Sequence, residues 1–154
     1  MQIKWKQVII NIAIHLALGL LVELLTSKSM EIYEQLNKPA IALPGYAFGA
    51  VWLVLFILMG ISSYIIYVSN SEEREKALRL YGVNLSLVVV WPIIFFTFHL
   101  YFFAFIITII IWGVAFTLVS MFTQISKPAG WILLPYFIWV TYAAYLNLQV
   151  LMLN

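Results

Sequence analysis

The chain has no cysteine and no aspartate. Without cysteine there are no disulfides and no thiolate chemistry. All six acids are glutamates, and five of them (Glu31, Glu34, Glu72, Glu73, Glu75) fall in two short polar segments. A hydrolytic carboxylate pair or an acid-rich metal site has little to draw on. Charged residues make up only 9% of the 154 residues, against 65% hydrophobic ones and a mean hydropathy of +1.04. Soluble domains carry about 25% charge and about 45–50% apolar residues. A globule this small cannot hide so much apolar surface from water. The composition therefore excludes a soluble enzyme, a disordered tail and a nucleic-acid binder, and defines an integral membrane protein. The net charge of +2 says nothing about partners.

A helical span needs about 20 mostly apolar residues to cross a hydrocarbon core about 30 Å thick. Such runs occupy residues 8–25 and 47–68. The segment 69–79 (SNSEEREKALR) is aqueous. From Leu80 to Phe122 there is no Lys, Arg, Asp or Glu. As one helix that stretch would be about 65 Å long, twice the bilayer. It must fold back, and the only strongly polar break near its middle is Thr97-Phe98-His99. Spans at 80–98 and 100–122 follow, then a loop at Thr123–Gly130 holding Pro128, and a last span at 131–151. Pro92 and Pro135 lie inside spans, where a missing N–H frees a carbonyl and kinks the helix. The expected fold class is an all-α membrane protein, a five-transmembrane-helix bundle forming a single domain over residues 1–154.

With five spans the termini lie on opposite sides. The N-terminal side carries Lys4, Lys6, Arg74, Lys76, Arg79 and Lys127; the other side carries Lys28 and Lys38. In a bacterial cell membrane this asymmetry puts the N-terminus in the cytoplasm, and the C-terminus and the loop 26–46 outside. Cleavage as a signal peptide near Ala17-Leu18-Gly19 is disfavoured, because the apolar run continues to Leu25. No transporter-type internal repeat is visible, and an odd helix number does not divide into equal halves.

Aromatic residues are abundant: 6 Trp, 9 Tyr and 11 Phe. Trp5 and Trp131 sit at span ends, as an interfacial belt requires. Trp52, Trp91 and Trp139 lie deeper, each on a stripe at helical spacing. The stripes are Trp52, Phe56, Met59, Ser63; Asn84, Val88, Trp91, Phe95; and Tyr136, Trp139, Ala143, Asn147. Asparagine is costly in lipid, so Asn84 and Asn147 should face the bundle interior, and their aromatic neighbours with them. Two readings stand at this point: a flat aromatic cavity, or ordinary helix packing with Asn as interhelical glue. On the first helix, Asn11, His15 and Glu23 stand out. His15 could ligate a haem iron or carry a proton, but such a His is more often bonded to a neighbouring helix. Glu23 lies near the outer end, within reach of the interface or Lys28. His99 belongs in a solvated turn. A metal site needs several convergent ligands, which two distant His do not provide. Gly45-Tyr-Ala-Phe-Gly49, Gly113-Val-Ala115 with Thr117, and Ala143-Ala144 are close-approach patches. The fourth helix, lacking Asn, Gln and charge, is the favoured subunit interface.

Several segments carry a family resemblance. The first loop reads Tyr33-Glu-Gln-Leu36-Asn-Lys38-Pro39, then Pro44, with Trp52, Met59-Gly60 and Tyr64 following. The third span contains Trp91-Pro92-Ile-Ile-Phe95-Phe96. The last contains Leu133-Leu134-Pro135-Tyr136-Phe-Ile-Trp139-Val-Thr-Tyr142-Ala143-Ala-Tyr-Leu146-Asn147. From Tyr33 to Asn147 the chain resembles a divergent, bacterial-type member of the translocator protein family, also called TspO, tryptophan-rich sensory protein or peripheral benzodiazepine receptor. The resemblance implies a usually homodimeric five-helix bundle. It implies binding of porphyrins and haem (in animals cholesterol and benzodiazepine-type drugs) between the bundle and the first loop. Some bacterial members are reported to degrade protoporphyrin in light, with cavity tryptophans taking part. Carried over by motif, the ligand-binding residues are Tyr33, Pro44, Trp52, Trp91, Phe95, Trp139, Ala143 and Asn147; the stripes add Phe56, Asn84 and Tyr136. The departures are Ile41 for a loop Trp, Leu43 for the first of two prolines, and Val88 for an Asn, with Asn84 one turn earlier on the same face. No Lys or Arg follows Tyr145, which tells against cholesterol recognition.

The expected function is that of a membrane tetrapyrrole-binding protein with a sensing or porphyrin-handling role. The porphyrin or haem is its ligand; no cofactor or metal is required. A macrocycle suits aromatic walls, and its propionates would need donors at the rim, which Tyr33, Lys28 and Lys38 could supply. The alternatives are a transporter or efflux component, a structural or assembly partner, and a light-dependent porphyrin-degrading enzyme. Trp52 and Trp139 would be the reacting residues of that enzyme; the departures at Ile41, Leu43 and Val88 tilt against it. The topology is directly testable. A reporter fused after Asn154 should read outside and one within 69–79 cytoplasmic; a cytoplasmic reading at Asn154 would refute either the orientation or the five-span count.

Overall fold

In a computed structural model, residues 4–26 and 34–154 are described. They form five long helices: α1 (Trp5–Thr26), α2 (Gly45–Tyr67), α3 (Arg74–Pro92, continuing as a wider π turn through Thr97), α4 (Tyr101–Ile125) and α5 (Lys127–Leu153). Each is long and apolar enough to cross a membrane. One end of the bundle, the basic end, carries the start of α1, residues 68–73 and Ser126. The other, the loop end, carries residues 34–44, His99 and the end of α5. α1 packs chiefly on α2, α2 on α5, α5 on α4 and α4 on α3, with lighter contact closing α3 back onto α2 and α1. α3 and α5 are not close backbone neighbours.

Two features depart from the sequence reading. The expected loop Thr123–Gly130 is almost entirely helical. α4 runs on to Ile125 and α5 begins at Lys127, so Ser126 alone joins them. Pro128 is therefore not in a loop but in the first turn of α5, where its missing N–H has no helical acceptor to lose. Gly130 makes this tight hairpin fit: a Cβ there would lie 2.8 Å from the Thr123 Cα and overlap its Oγ1. Likewise the aqueous segment 69–79 is helical from Arg74 onward, bearing the surface pairs Lys76–Glu73 and Arg79–Glu75.

Pro92 acts where expected. It cannot donate to Val88, and the chain widens so that the Phe98 N–H reaches the Ile93 carbonyl at 3.1 Å. The turn then closes with His99 at φ 55°, a left-handed conformation uncommon for a side-chain-bearing residue. His99 is exposed, as expected.

The densest packing sits at the basic end. Met59 and Ile66 of α2, Leu118 and Phe122 of α4, and Leu133 and Tyr136 of α5 are wholly buried there. α1 is the outermost helix, with only Val8, His15 and Thr26 buried. It is held by polar contacts. The Asn11 amide donates to the Gly60 carbonyl at 2.8 Å and to Ser63 Oγ at 2.9 Å. Gly60 lets the Ile12 backbone come this close, since a Cβ would stand 3.0 Å from the Ile12 Cα. Trp5 and Trp131, both at the basic end, are exposed as belt residues should be.

The hairpin geometry predicts opposite outcomes for two glycines. Gly130→Ala should destabilise the protein by about 1–3 kcal/mol, because the one-residue link cannot yield to the added methyl. Gly113→Ala, with nothing within 4 Å of its new Cβ, should be neutral or stabilising by up to about 1 kcal/mol. Thermal unfolding of both variants in one detergent checks the pair.

Candidate functional site

The space between α3 and α5 is bridged by long side chains rather than by backbone contact. At its floor Asn84 and Tyr136, both wholly buried, bond reciprocally. The Asn84 Nδ2 donates to the Tyr136 hydroxyl at 2.9 Å, and that hydroxyl donates to Asn84 Oδ1 at 3.0 Å. Nearer the loop end, Trp91 Nε1 donates to Asn147 Oδ1 at 3.2 Å, while the Asn147 Nδ2 turns back to the Ala143 carbonyl at 2.8 Å.

Between and above these bridges lie two small voids. The inner one, about 30 Å³, is lined by Phe48, Trp52, Val88, Trp91, Thr108, Ile111, Trp139, Val140 and Ala143. The outer one, about 20 Å³, is lined by Lys38, Pro39, Ala42, Phe48, Trp91, Phe95, Phe96, Ala143, Leu146, Asn147 and Val150. Phe48, Trp91 and Ala143 border both, so these three side chains form the partition. Trp52 and Trp139 meet edge to face with centroids 6.5 Å apart, and Phe48 packs on Trp139 at 5.3 Å. Each void has room for about one water. Pockets for ligands of drug size are typically about 300–1,000 Å³. A larger guest requires the partition to move.

The first loop roofs the outer void and is tied down at three places. Tyr142 Oη donates to the Ile41 carbonyl at 2.8 Å and accepts the Leu43 N–H at 3.2 Å. The Asn37 N–H donates to Asn154 Oδ1, and the Asn154 Nδ2 to the Asn37 carbonyl, both at 3.0 Å. Glu34 Oε1 accepts the Gly45 N–H at 3.2 Å and Oε2 pairs with the Lys38 ammonium at 3.3 Å. The Gly45 N–H, with Lys38 adding to it, holds the Glu34 carboxyl below the usual carboxylate range.

Of the residues singled out from the sequence, Trp52, Trp91, Phe95, Trp139, Ala143 and Asn147 come together around the voids. Phe56, Asn84 and Tyr136 face inward but line neither void. Phe56 packs beside Trp52 and over Gly19, and Asn84 is consumed by Tyr136. The amide one turn early thus serves as a floor bolt, not a wall. Pro44 precedes α2, exposed, and touches neither void. Tyr33 and Lys28 lie outside the described residues.

Sequence reasoning missed Phe48, which stands four residues before Trp52 on the same helical stripe and was there to be read. It also missed Thr108 and Ile111. The fourth helix, judged to have nothing to aim at a cavity, supplies both to the inner void. Thr108 gave no sign because its hydroxyl is spent on the Ala104 carbonyl.

His15 is a structural bond. Its Nδ1 faces the Asn11 carbonyl at 2.7 Å, which can only accept, so Nδ1 carries the proton and Nε2 accepts the Tyr81 hydroxyl at 2.7 Å. It lines neither void. Glu23 is exposed on α1. No cluster of three His, Cys, Asp or Glu occurs among the described residues.

A closed five-helix membrane bundle with an aromatic, loop-roofed seam is the class this geometry defines. The TspO/MBR family pattern matches residues 11–153, and the chain belongs to that family. It is 31% identical over 124 residues to the tryptophan-rich protein TspO of Chlorobaculum tepidum, covering 79% of this chain and 78% of that protein. It is 33% identical over 118 residues to the translocator protein of Ovis aries, covering 75% and 70%. With the tryptophan-rich sensory protein of Cereibacter sphaeroides it shares 30% identity over 127 residues, covering 82% and 79%.

The floor bond is testable as a pair. Tyr136→Phe leaves the buried Asn84 amide without its partner and should cost about 1–3 kcal/mol. Combining it with Asn84→Leu should cost less than the two single changes added together. Strict additivity in detergent unfolding would mean that the two do not act as a unit.

Proposed function

We propose that this chain binds a tetrapyrrole, porphyrin or haem, between the aromatic faces of α2, α3 and α5, in a sensing or porphyrin-handling role. The observation that carries this reading is the convergence of Trp52, Trp91 and Trp139 from three helices on adjoining voids under one loop. A flat apolar macrocycle gains from stacking on such rings. Among the described residues the void linings contain no His or Cys, and both nitrogens of His15 are engaged. The residues thus fit the macrocycle and offer no strong axial ligand to an iron. Binding begins with Trp91 leaving Asn147 and Phe48 shifting, which joins the two voids; because the joined space is still far smaller than a macrocycle, the loop and the facing helices must then part as well. The same reading puts the N-terminus in the cytoplasm, and pairs two copies through the exposed α4 face that carries Phe102, Ile106, Ile109 and Phe116.

Titration of the purified protein with protoporphyrin and haemin, following Trp quenching and the Soret band, tests the site. Trp52→Phe or Trp139→Phe keeps a ring and should weaken binding by about 1 kcal/mol, a few-fold to tenfold. Changing both to Ala removes the wall and should nearly abolish binding. His15→Ala should leave protoporphyrin and haemin binding within a few-fold, and loss of haemin alone would make His15 an iron ligand. Bleaching under fixed light well above that of free porphyrin, and abolished by one Trp→Phe change at saturating ligand, would make the protein an enzyme.

A further inference from the structure

The basic end of the bundle carries more cations than its acids match. Glu73 pairs with Lys76 at 3.2 Å and Glu75 with Arg79 at 3.4 Å, all four side chains well exposed. Glu72 is exposed and makes no salt bridge. Lys4, Lys6, Arg74 and Lys127 are left without an acidic partner among the described residues. Three of these four are exposed, where water solvates the charge; Arg74 is half-buried.

The Arg74 guanidinium has five N–H donors and makes one hydrogen bond, from Nη1 to the Ser69 carbonyl at 3.3 Å. A half-buried cation is costly unless an anion lies beside it. Ser69 is incomplete as well. Its Oγ is shut off from solvent and has no hydrogen-bond partner, the only such side-chain atom among the described residues. A buried hydroxyl in that state is destabilising. The turn 69–74 thus brings a cation without an anion to a donor without an acceptor, and one oxygen-rich anion satisfies both. The depth of the turn is set by rings. Tyr67, the last residue of α2, is exposed two residues before Ser69, and Trp5 and Trp131 are exposed at the same end of α1 and α5. Exposed Trp and Tyr settle at the headgroup level of a bilayer, which is where lipid phosphates lie.

We propose that the turn 69–74 binds the phosphodiester of an anionic lipid, with Arg74 clasping its charge and the Ser69 hydroxyl donating to it. The planar guanidinium fork grips two phosphate oxygens at once. The Ser69 hydroxyl reaches a third by turning outward about its Cα–Cβ bond. The lipid must carry net negative charge, because a zwitterionic headgroup brings its own cation to the phosphate. The protein therefore prefers a bilayer with acidic headgroups in the leaflet at its basic end. A free phosphate offers the same oxygens, but the three rings favour a lipid as the source. The aromatic seam takes no part, so this inference stands or falls apart from the tetrapyrrole reading.

The test is native mass spectrometry of the detergent-solubilised protein given equal amounts of phosphatidylglycerol and phosphatidylcholine with the same acyl chains. The ratio of bound lipids reads the preference. The wild type should favour phosphatidylglycerol about fivefold or more. Arg74→Gln should lose most of that preference. Arg79→Gln, which removes the same charge from a paired and fully exposed site, should keep it. Ser69→Ala should lower it a few-fold, and because this change removes no charge it carries the test alone if Arg74→Gln does not fold. A wild-type ratio near one would overturn the inference. Equal losses in Arg74→Gln and Arg79→Gln would do so too, since they would show diffuse surface charge and no site. A ratio unmoved by Ser69→Ala would remove the second donor and the built site with it. Displacement of the bound lipid by millimolar inorganic phosphate would make this a site for a soluble anion and overturn the assignment to lipid.

Discussion

In a bilayer there is no hydrophobic reason for one apolar helix to prefer another helix to lipid, so polar bonds and close backbone approach decide the register. The bond between Asn84 and Tyr136 is the one on which the rest depends. It spans α3 and α5 where their backbones do not meet, and sets the height at which Trp91, two turns beyond Asn84, faces Asn147, three turns beyond Tyr136. Asn11 with Gly60 and Ser63, and His15 with Tyr81, do the same for α1, which has almost no buried apolar surface of its own. Ser62, donating to the Ala129 carbonyl at 2.8 Å, fixes α2 on α5. These bonds lie mostly toward the basic end. The loop-end half of the seam is left to aromatic packing, and it is there that the voids remain.

That division separates a fixed floor from an adjustable mouth. The wholly buried side chains of the floor cannot give way without leaving a polar atom unpaired or opening a cavity. The mouth is closed by one indole hydrogen bond, a few ring contacts and a loop held by exposed amides. Such ring contacts are worth about 0.5–1.5 kcal/mol each beyond the area they bury, whereas breaking the buried floor bond strands two polar groups. The π turn after Pro92 contributes by placing two consecutive rings, Phe95 and Phe96, on the same void.

Much of this was legible in the sequence, for identifiable reasons. Five spans follow from charge spacing and bilayer thickness, and the inward direction of the three Trp stripes follows from the Asn beside them. The family resemblance, itself borne out by the matched family and relatives, supplied the expectation of the loop as a roof. The link between α4 and α5 was not legible, because Thr123-Gln-Ile-Ser-Lys-Pro reads as a polar loop until Gly130 is seen to admit the Thr123 backbone. Nor was the share of α4 in the inner void. A hydroxyl bonded to its own helix gives no outward signal, and lipid-facing and cavity-facing aliphatic residues are the same residue types. Asn84 was read correctly as inward, but its occupation by Tyr136 needed coordinates.

The single residue between α4 and α5 bears on how the protein is made and how it moves. Two helices of 25 and 27 residues joined by Ser126 alone have no slack to slide along each other. They must enter the bilayer as one preformed hairpin, since a half-inserted pair would strand one end of the apolar run in water. Once in place they behave as a rigid spine. Any adjustment at the loop end is then left to α1, α2 and the end of α3, whose connections are longer. At the opposite end of the bundle α1 is tied to α2, where Lys4 donates its backbone N–H to the Tyr64 hydroxyl at 3.0 Å.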